Sequence, residues 1–379
     1  MVAAREKAAS AGATAGGSAT GAAAGRRRQL STPARLRRLL TAVLAATVLF
    51  WIAATILQQG LQAAAHSARD ALSPAYQDAA QMQASLSDAD LAAWQAFRSG
   101  AAQLTGPGLR YQNDITNAGQ ALERLAALQA PGSAEGSLLQ TISGQLVNYQ
   151  NLVEQADAEY RRDIALGGAS VGDLGRVYLT YSSNSLRGPG GLLANIDGLT
   201  KSGQHALRDQ LASPWADRAL PPVFALPALL TLSGIAVTQV LLRRRFNRAV
   251  SLPLLLAAAA TCGLAGWLLT AAWHADSAFA TARGTALPGL AAQWQSQTNA
   301  VKNAAEALTD GASVASSNAG LDPSATQTAS SRLDAYLASA GNDGSLPAGI
   351  PVLAAATAAL CYLGFRPRLN EYRAGGGRR

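Results

Sequence analysis

The residues able to do chemistry in this chain are few, and most stand alone. His66, His205 and His274 share no metal-ligand spacing with one another or with a cysteine, so neither imidazole catalysis nor a His/Cys metal centre is expected. Cys262 and Cys361 fall inside long apolar runs and suggest no disulfide framework. There is no glycine-rich phosphate loop ending in Lys-Ser or Lys-Thr, and no nucleophile elbow. The sequence therefore predicts no enzyme, no metal and no cofactor. What remains is a polar cluster: Asp88, Asp90, Arg98 and Arg110. At about 100° per residue, Asp90 falls near the centre of an apolar face made by Tyr76, Leu86, Trp94 and Phe97. A carboxylate there must be paired or protonated. Three readings are open: a frayed helix start in which Ser87 and Asp90 resemble a capping box, a solvated polar layer, or a polar core site that senses a ligand or fixes helix register. The four residues are the ligand-contact candidates. Gly188-Pro189-Gly190-Gly191 is either a simple loop or a hinge for the helix beyond it.

The elements that must position these residues read as helices. Leu139, Ile142, Leu146, Tyr149, Val153, Ala156 and Tyr160 keep a strict three-four spacing, as do Tyr111, Ile115, Ala118, Leu122 and Leu125. Tyr76, Ala79, Leu86, Trp94 and Phe97 form a looser stripe. Such stripes bury one face in an antiparallel bundle. Gly106-Pro107-Gly108, Pro131-Gly132 and Gly167-Gly168 separate them, and a further stretch holds Leu174, Val177, Tyr178 and Tyr181. Farther on, Leu287, Leu290, Trp294, Val301, Ala305 and Leu308 make one more amphipathic helix, and Leu333, Tyr336 and Leu337 mark another helix after it. No period-two pattern marks a strand.

Four windows lack any charge: Leu39 to Leu57, Pro222 to Leu242, Leu252 to Trp273 and Leu346 to Phe365. Each is long enough to cross a ~30 Å hydrocarbon core at ~1.5 Å per residue. The expected fold is an all-α integral membrane protein with four transmembrane helices. Its order is a disordered basic arm (1–38), span 1 (39–57), a helical bundle (58–221), span 2 (222–242), an arginine-rich link (243–251), span 3 (252–273), a second, smaller helical region (274–345), span 4 (346–365) and a basic tail (366–379). The net charge of +8 is unevenly placed: region 58–221 has 11 bases against 15 acids and region 274–345 has three against six, while the arm, link and tail are strongly basic. The positive-inside rule then puts both termini and the link in the cytosol and both helical regions outside a plasma membrane. The basic clusters fit topology and anionic lipid contacts rather than nucleic acid. An uncleaved anchor is expected at the first span, because its apolar run exceeds that of a signal peptide.

The segment Ser87-Asp88-Ala89-Asp90, followed by Ala92-Ala93-Trp94-Gln95-Ala96-Phe97-Arg98-Ser99-Gly100, resembles a stretch of bacterial four-helix-bundle receptor domains, and Arg110-Tyr111 with Asp114-Ile115 is similar. The four spans, the two unequal outer regions, the arginine link and the tail Arg366-Pro367-Arg368-Leu369-Asn370-Glu371-Tyr372-Arg373 together resemble the actinobacterial GlnX-type membrane proteins. That resemblance implies an extracellular amino-acid-binding lipoprotein and a soluble cytosolic Ser/Thr kinase as partners. It implies no catalytic residue. The resulting expectation is a transmembrane sensor or signal relay; a non-switching envelope scaffold and a transporter are the alternatives.

Overall fold

The computed structural model describes residues 32–100, 102, 106–129, 132–166, 173–212, 220–246, 252–309, 321–341 and 349–374. The arm up to residue 31, Gly167-Gly168 and the end of the arginine link lie outside them. Every element among the described residues is helical. In chain order they are α1 (Thr32–Ser67), a π-helical turn (Ala68–Leu72), α2 (Ser73–Arg98), α3 (Gly108–Leu128), α4 (Ala134–Ala165), α5 (Asp173–Arg187), α6 (Leu192–Leu211), α7 (Leu220–Phe246), α8 (Leu252–Thr281), a second π-helical turn (Ala282–Ala286), α9 (Leu287–Thr309), α10 (Pro323–Gly341) and α11 (Gly349–Ala374).

Two helices dominate. From Arg38 to Ser99 and from Leu252 to Thr309 the chain runs without a break, 62 and 58 residues, or roughly 90 Å each at ~1.5 Å per residue. Each is interrupted only by its π turn, and the two turns fall at corresponding places. Ala68-Arg69 and Pro74 in the first match Ala282-Arg283 and Pro288 in the second. The two halves of the chain thus share a sequence trace at their joints as well as an architecture. A proline in the first turn of α2 and α9 is tolerated because the π turn before it has already disturbed the α-helical hydrogen-bond pattern.

Below the joints lies the apolar layer. α1 and α8 each pack against both α7 and α11, closing a ring of four helices. Leu40 and Val43 of α1, Ile235 of α7, Leu254 and Ala257 of α8 and Cys361 of α11 meet in one cluster. The outward faces are just as apolar: Leu49, Ile52, Leu229, Val240, Leu256 and Val352 are exposed. Only 33% and 28% of the most apolar windows of the two long helices are buried. A water-soluble core helix would show the opposite, so this belt differs from a buried core. The two long helices are long and apolar enough to cross a membrane; the apolar stretches of α7 and α11 are shorter, Leu226–Val240 and Val352–Leu363. Buried hydroxyls in this layer bond within their own helices: Thr47, Thr231, Thr261 and Thr357 donate to the carbonyl four residues back at 2.8 Å.

A junction layer sits at the π turns. Leu61, Ala65 and Ala68, Tyr76 of α2, Leu207 and Leu211 of α6, Phe279, Ala282 and Leu287 around the second joint, and Leu333 and Leu337 of α10 form one cluster. Above it stands the outer region. The heptad residues of α4, from Leu139 to Tyr160, are its buried residues. The four-helix bundle implied by the resemblance is enlarged: α2 to α6 share their core with Val301, Ala305 and Leu308 of α9. The second outer region is therefore no detached domain, because one wall of the main core belongs to it. α5 turns a different face inward from the one its apolar residues suggest. Leu174, Val177 and Tyr181 are exposed, while Gly175, Leu179, Ser182, Ser183 and Leu186 are buried. Small residues win that face because α4 and α5 approach closely: a Cβ on Gly175 would stand 2.6 Å from Tyr160 Cβ.

Candidate functional site

The four sequence candidates separate onto two sites on opposite sides of α2. Asp90 lies deep inside, with none of its surface exposed. Ser87 and Asp90 sit in the middle of α2, and Ser87 Oγ donates back to Gln83 O at 2.9 Å, so the capping-box reading fails. A solvated layer is excluded by the burial. Instead the carboxylate is paired within the core. Arg187 Nη2, near the end of α5, donates to Asp90 Oδ2. Ser183 Oγ donates to Asp90 Oδ1 at 2.7 Å, and Trp94 Nε1 donates to Ser183 Oγ at 2.7 Å. Ser183 and Arg187 stand four apart and so share one face of α5. Burial pushes the Arg187 guanidinium below its usual range, while the charge of Glu306 on α9 acts in the opposite sense. Arg98, one turn beyond Trp94, donates from Nη1 to the Leu308 carbonyl near the end of α9 at 2.9 Å. This cluster ties α2 to α5 and the end of α2 to α9.

Asp88 and Arg110 face the other way. Arg110 of α3 grips Asp88 with two bonds, Nε to Oδ2 at 3.0 Å and Nη2 to Oδ1 at 2.5 Å. Both line a cleft of about 980 Å³ between the two outer regions. Its near wall is Gln77, Gln81, Ser85 and Asp88 of α2 with Arg110, Asp114 and Asn117 of α3; its far wall includes Trp294 and Gln297 of α9 and Thr326 and Gln327 of α10. Three side-chain atoms on these walls are buried without a hydrogen-bond partner: Asp114 Oδ2, Trp294 Nε1 and Gln297 Oε1. In the sequence Asp114 stands out only through the resemblance, and Trp294 only as part of an apolar face. Trp294 is one helical turn from Gln297, a spacing that could have flagged a polar edge on that stripe.

Burial, the Asp88 charge and the contact with the Asp88 carboxylate push Asp114 up to about 7, against the opposing pull of Arg110. The consequence for stability has a definite sign. Between about pH 4 and about pH 7 the folded chain holds a proton that the unfolded chain has lost, so stability falls as pH rises through that window. Thermal unfolding of the full chain in detergent should show this slope, and Asp114→Asn should flatten it. An unchanged slope in that variant would mean that Asp114 titrates normally.

Behind this wall Tyr111 and Tyr149 pack with ring centroids 6.4 Å apart, and neither hydroxyl finds a partner. Burial raises both phenols far above their ordinary value, and the charge of Glu154 adds to the effect on Tyr111. A buried unbonded hydroxyl costs about 1–3 kcal/mol. Tyr149→Phe should therefore leave the melting temperature unchanged or raise it by a few degrees; a clear fall would reveal a bond to that hydroxyl.

Gly188-Pro189-Gly190-Gly191 forms a close turn between α5 and α6. Gly188 N donates to Asn184 O at 2.7 Å, Gly191 N donates to Gly188 O at 2.8 Å, and Gly190 takes a φ of +73°. A Cβ on Gly191 would lie 2.7–2.9 Å from three carbonyl oxygens, so the glycine is required by close packing. Among the described residues no group of three or more His, Cys, Asp or Glu could hold a metal ion.

No curated protein and no solved structure matches the chain. Residues 52–212, which run from the middle of α1 through α6 and include Asp88, Asp90, Arg98 and Arg110, match the family model of an actinobacterial sensor domain.

Proposed function

We propose that this chain is a transmembrane sensor or relay in the plasma membrane, with four helical spans, both termini in the cytosol and the cleft outside. One observation carries the reading. The helices that form the cleft walls, α2 and α9, continue through the two π turns into the apolar helices α1 and α8. A change of spacing at the cleft has a direct mechanical route across the membrane. The sensor-domain match supports the sensing half of the proposal. The chain would act without catalysis and without a cofactor, and would hand its signal to a soluble cytosolic partner. Following the GlnX-type resemblance, that partner would be a Ser/Thr kinase, and the outer stimulus an amino acid or an amino-acid-binding lipoprotein.

A scaffold that holds a partner without switching is the second reading. It is favoured by the exposed apolar face of α5, with Leu174, Val177 and Tyr181 at 51%, 47% and 60% exposure.

A test that needs no ligand separates the two. Cysteines replacing Asn117 and Gln327, on opposite cleft walls, would be joined by short or long bifunctional maleimides in the full chain in nanodiscs, with Cys262 and Cys361 replaced by alanine. Spin labels at positions 38 and 252 would report the inner ends of α1 and α8. The relay reading expects different label distances with the two linkers. Identical distances would leave the scaffold.

A further inference from the structure

We propose that the cleft between the outer regions binds a small organic cation, a hydroxyl-bearing amine, with its ammonium group between Asp114 and Gln297 and an oxygen acceptor at Trp294. The inference rests on the sensor reading, since it takes the cleft as the sensing site, and it puts a carboxylate-free amine in the place of the free amino acid that the GlnX-type resemblance suggests.

The argument starts from the three partnerless atoms. Asp114 is 8% exposed, and its Oδ2 is a buried acceptor with no donor. Gln297 Oε1 is a second such acceptor, and its amide orientation is fixed because Nε2 already donates to Asp322 O at 2.9 Å. Trp294 Nε1 is a buried donor with no acceptor. Buried polar groups left without partners are rare in native folds, and several on the walls of one cleft point to a ligand. The complement of two acceptors and one donor is a group with at least two N–H bonds beside an oxygen. An ammonium next to a hydroxyl provides both.

Charge decides between an amine and an acid. The charged groups lining the cleft are Asp88 on α2, Arg110 and Asp114 on α3, and Asp322 just before α10; α9 adds none to the lining. Glu154 of α4 acts on Tyr111 behind the wall. Arg110 is engaged by both Asp88 oxygens and reaches Gln95 Oε1 at 3.4 Å. Asp322 is held ionised by hydrogen bonds from Ser324. The site is thus net negative and disfavours a carboxylate or phosphate. The remaining lining is mostly carboxamide and hydroxyl, with Leu321 as its one aliphatic residue, so it suits a hydroxylated rather than an alkyl skeleton. A bare metal ion is a poor fit, since the described residues hold no cluster of three ligating side chains.

The test is calorimetry on the full chain in nanodiscs. Glucosamine would be the cationic probe and glucose its neutral counterpart, with glycine as a zwitterion and glutamate as an anion. Glucosamine is expected to bind at least ~10-fold more tightly than the other three, which corresponds to about 1.4 kcal/mol. Because a cation beside Asp114 favours its ionised form, binding at about pH 6, where the amine of glucosamine is already protonated and Asp114 still holds most of its proton, should release a fraction of a proton, seen as a dependence of the heat on buffer ionisation. Asp114→Asn should abolish the proton release and weaken binding. Gln297→Leu, away from the titrating pair, should weaken binding without changing the proton release per ligand bound. Equal affinity for glucose and glucosamine would overturn the cation, and so would tighter binding of glutamate or no binding of the amine at millimolar concentration. None of these outcomes touches the cross-linking test, which fails only if the relay fails.

Discussion

Replacing Asp90 by alanine should destabilise the outer region by roughly 3–5 kcal/mol, the range for breaking a buried ion pair from one side. The size reflects the groups left behind. Arg187 is only 14% exposed at its side chain, and without Asp90 its guanidinium would be left charged in the core with Glu306 as its remaining electrostatic support. Ser183 would lose its acceptor while still receiving Trp94. Replacing both charges tells a different story: Asp90→Leu combined with Arg187→Met removes the two desolvated ions together and should recover most of the lost stability, because well-packed apolar groups often substitute for a buried pair at little cost. Chemical unfolding of the full chain in detergent, followed by tryptophan fluorescence, would measure the cycle. If Asp90→Ala alone costs less than about 1 kcal/mol, the pair does not fix the register of α2 against α5. Should the double variant retain stability but lose the cleft-to-membrane response, the pair would be kept for switching rather than for strength.

That pair also shows where sequence patterns stop being informative. Asp90 stands out because a carboxylate at the centre of an apolar stripe violates the pattern around it. Its partner does not, because Arg187 lies at the end of a helix three of whose apolar residues, Leu174, Val177 and Tyr181, point away from the core. The α5 face that matters is built from Gly175, Leu179, Ser182, Ser183 and Leu186, and two leucines seven apart among small residues give too weak a periodic signal to outweigh the exposed apolar stripe until the neighbouring helix is known. By contrast the α4 stripe, from Leu139 to Tyr160, is legible residue by residue, since a face that packs with large apolar side chains writes its period into the sequence. Asp88 and Arg110 could be nominated for the cleft, but its far wall could not. Trp294 and Gln297 line the same cleft as Asp114 only because α9 closes against α2, and that packing rests on contacts between segments some 200 residues apart. The π turns are equally silent. Their only trace is the pair of Ala-Arg and Pro positions shared by the two joints, and it acquires meaning only when the turns are seen to break the two long helices at the same height.

Deleting Ala71 should leave the protein folded, whereas deleting Gln59 should not. Both residues are exposed and both lie in the same long helix, so side-chain loss is not the difference. A π turn holds one residue more than the α turn it replaces. Removing Ala71 lets residues 68–72 close as ordinary helix, with Leu61 and Ala65 on one side and Tyr76 and Leu86 on the other still facing their layers. Removing Gln59 from the regular part of α1 rotates the downstream residues by about 100°. Even if the π turn absorbed the shift farther on, Leu61, Ala65 and Ala68 would leave the junction in which they are now buried. Thermal unfolding in detergent should show a near-native transition for the Ala71 deletion and a lost or severely lowered one for the Gln59 deletion. Equal damage from both would mean that the π turn is built into the packing around Ser73, whose hydroxyl donates to Asp334 Oδ1 of α10 at 3.3 Å. If the Ala71 deletion folds, it becomes the sharper probe of the relay. An extra residue held in a weaker hydrogen-bond pattern is a place where a helix can rotate at small energetic cost. A regularised joint should therefore preserve the cleft while reducing the change in label distance at positions 38 and 252 on cross-linking. An undiminished change would show that motion passes through the joint as a rigid rod, and would move the search for the flexible element to α6 and α10, which pack against both turns.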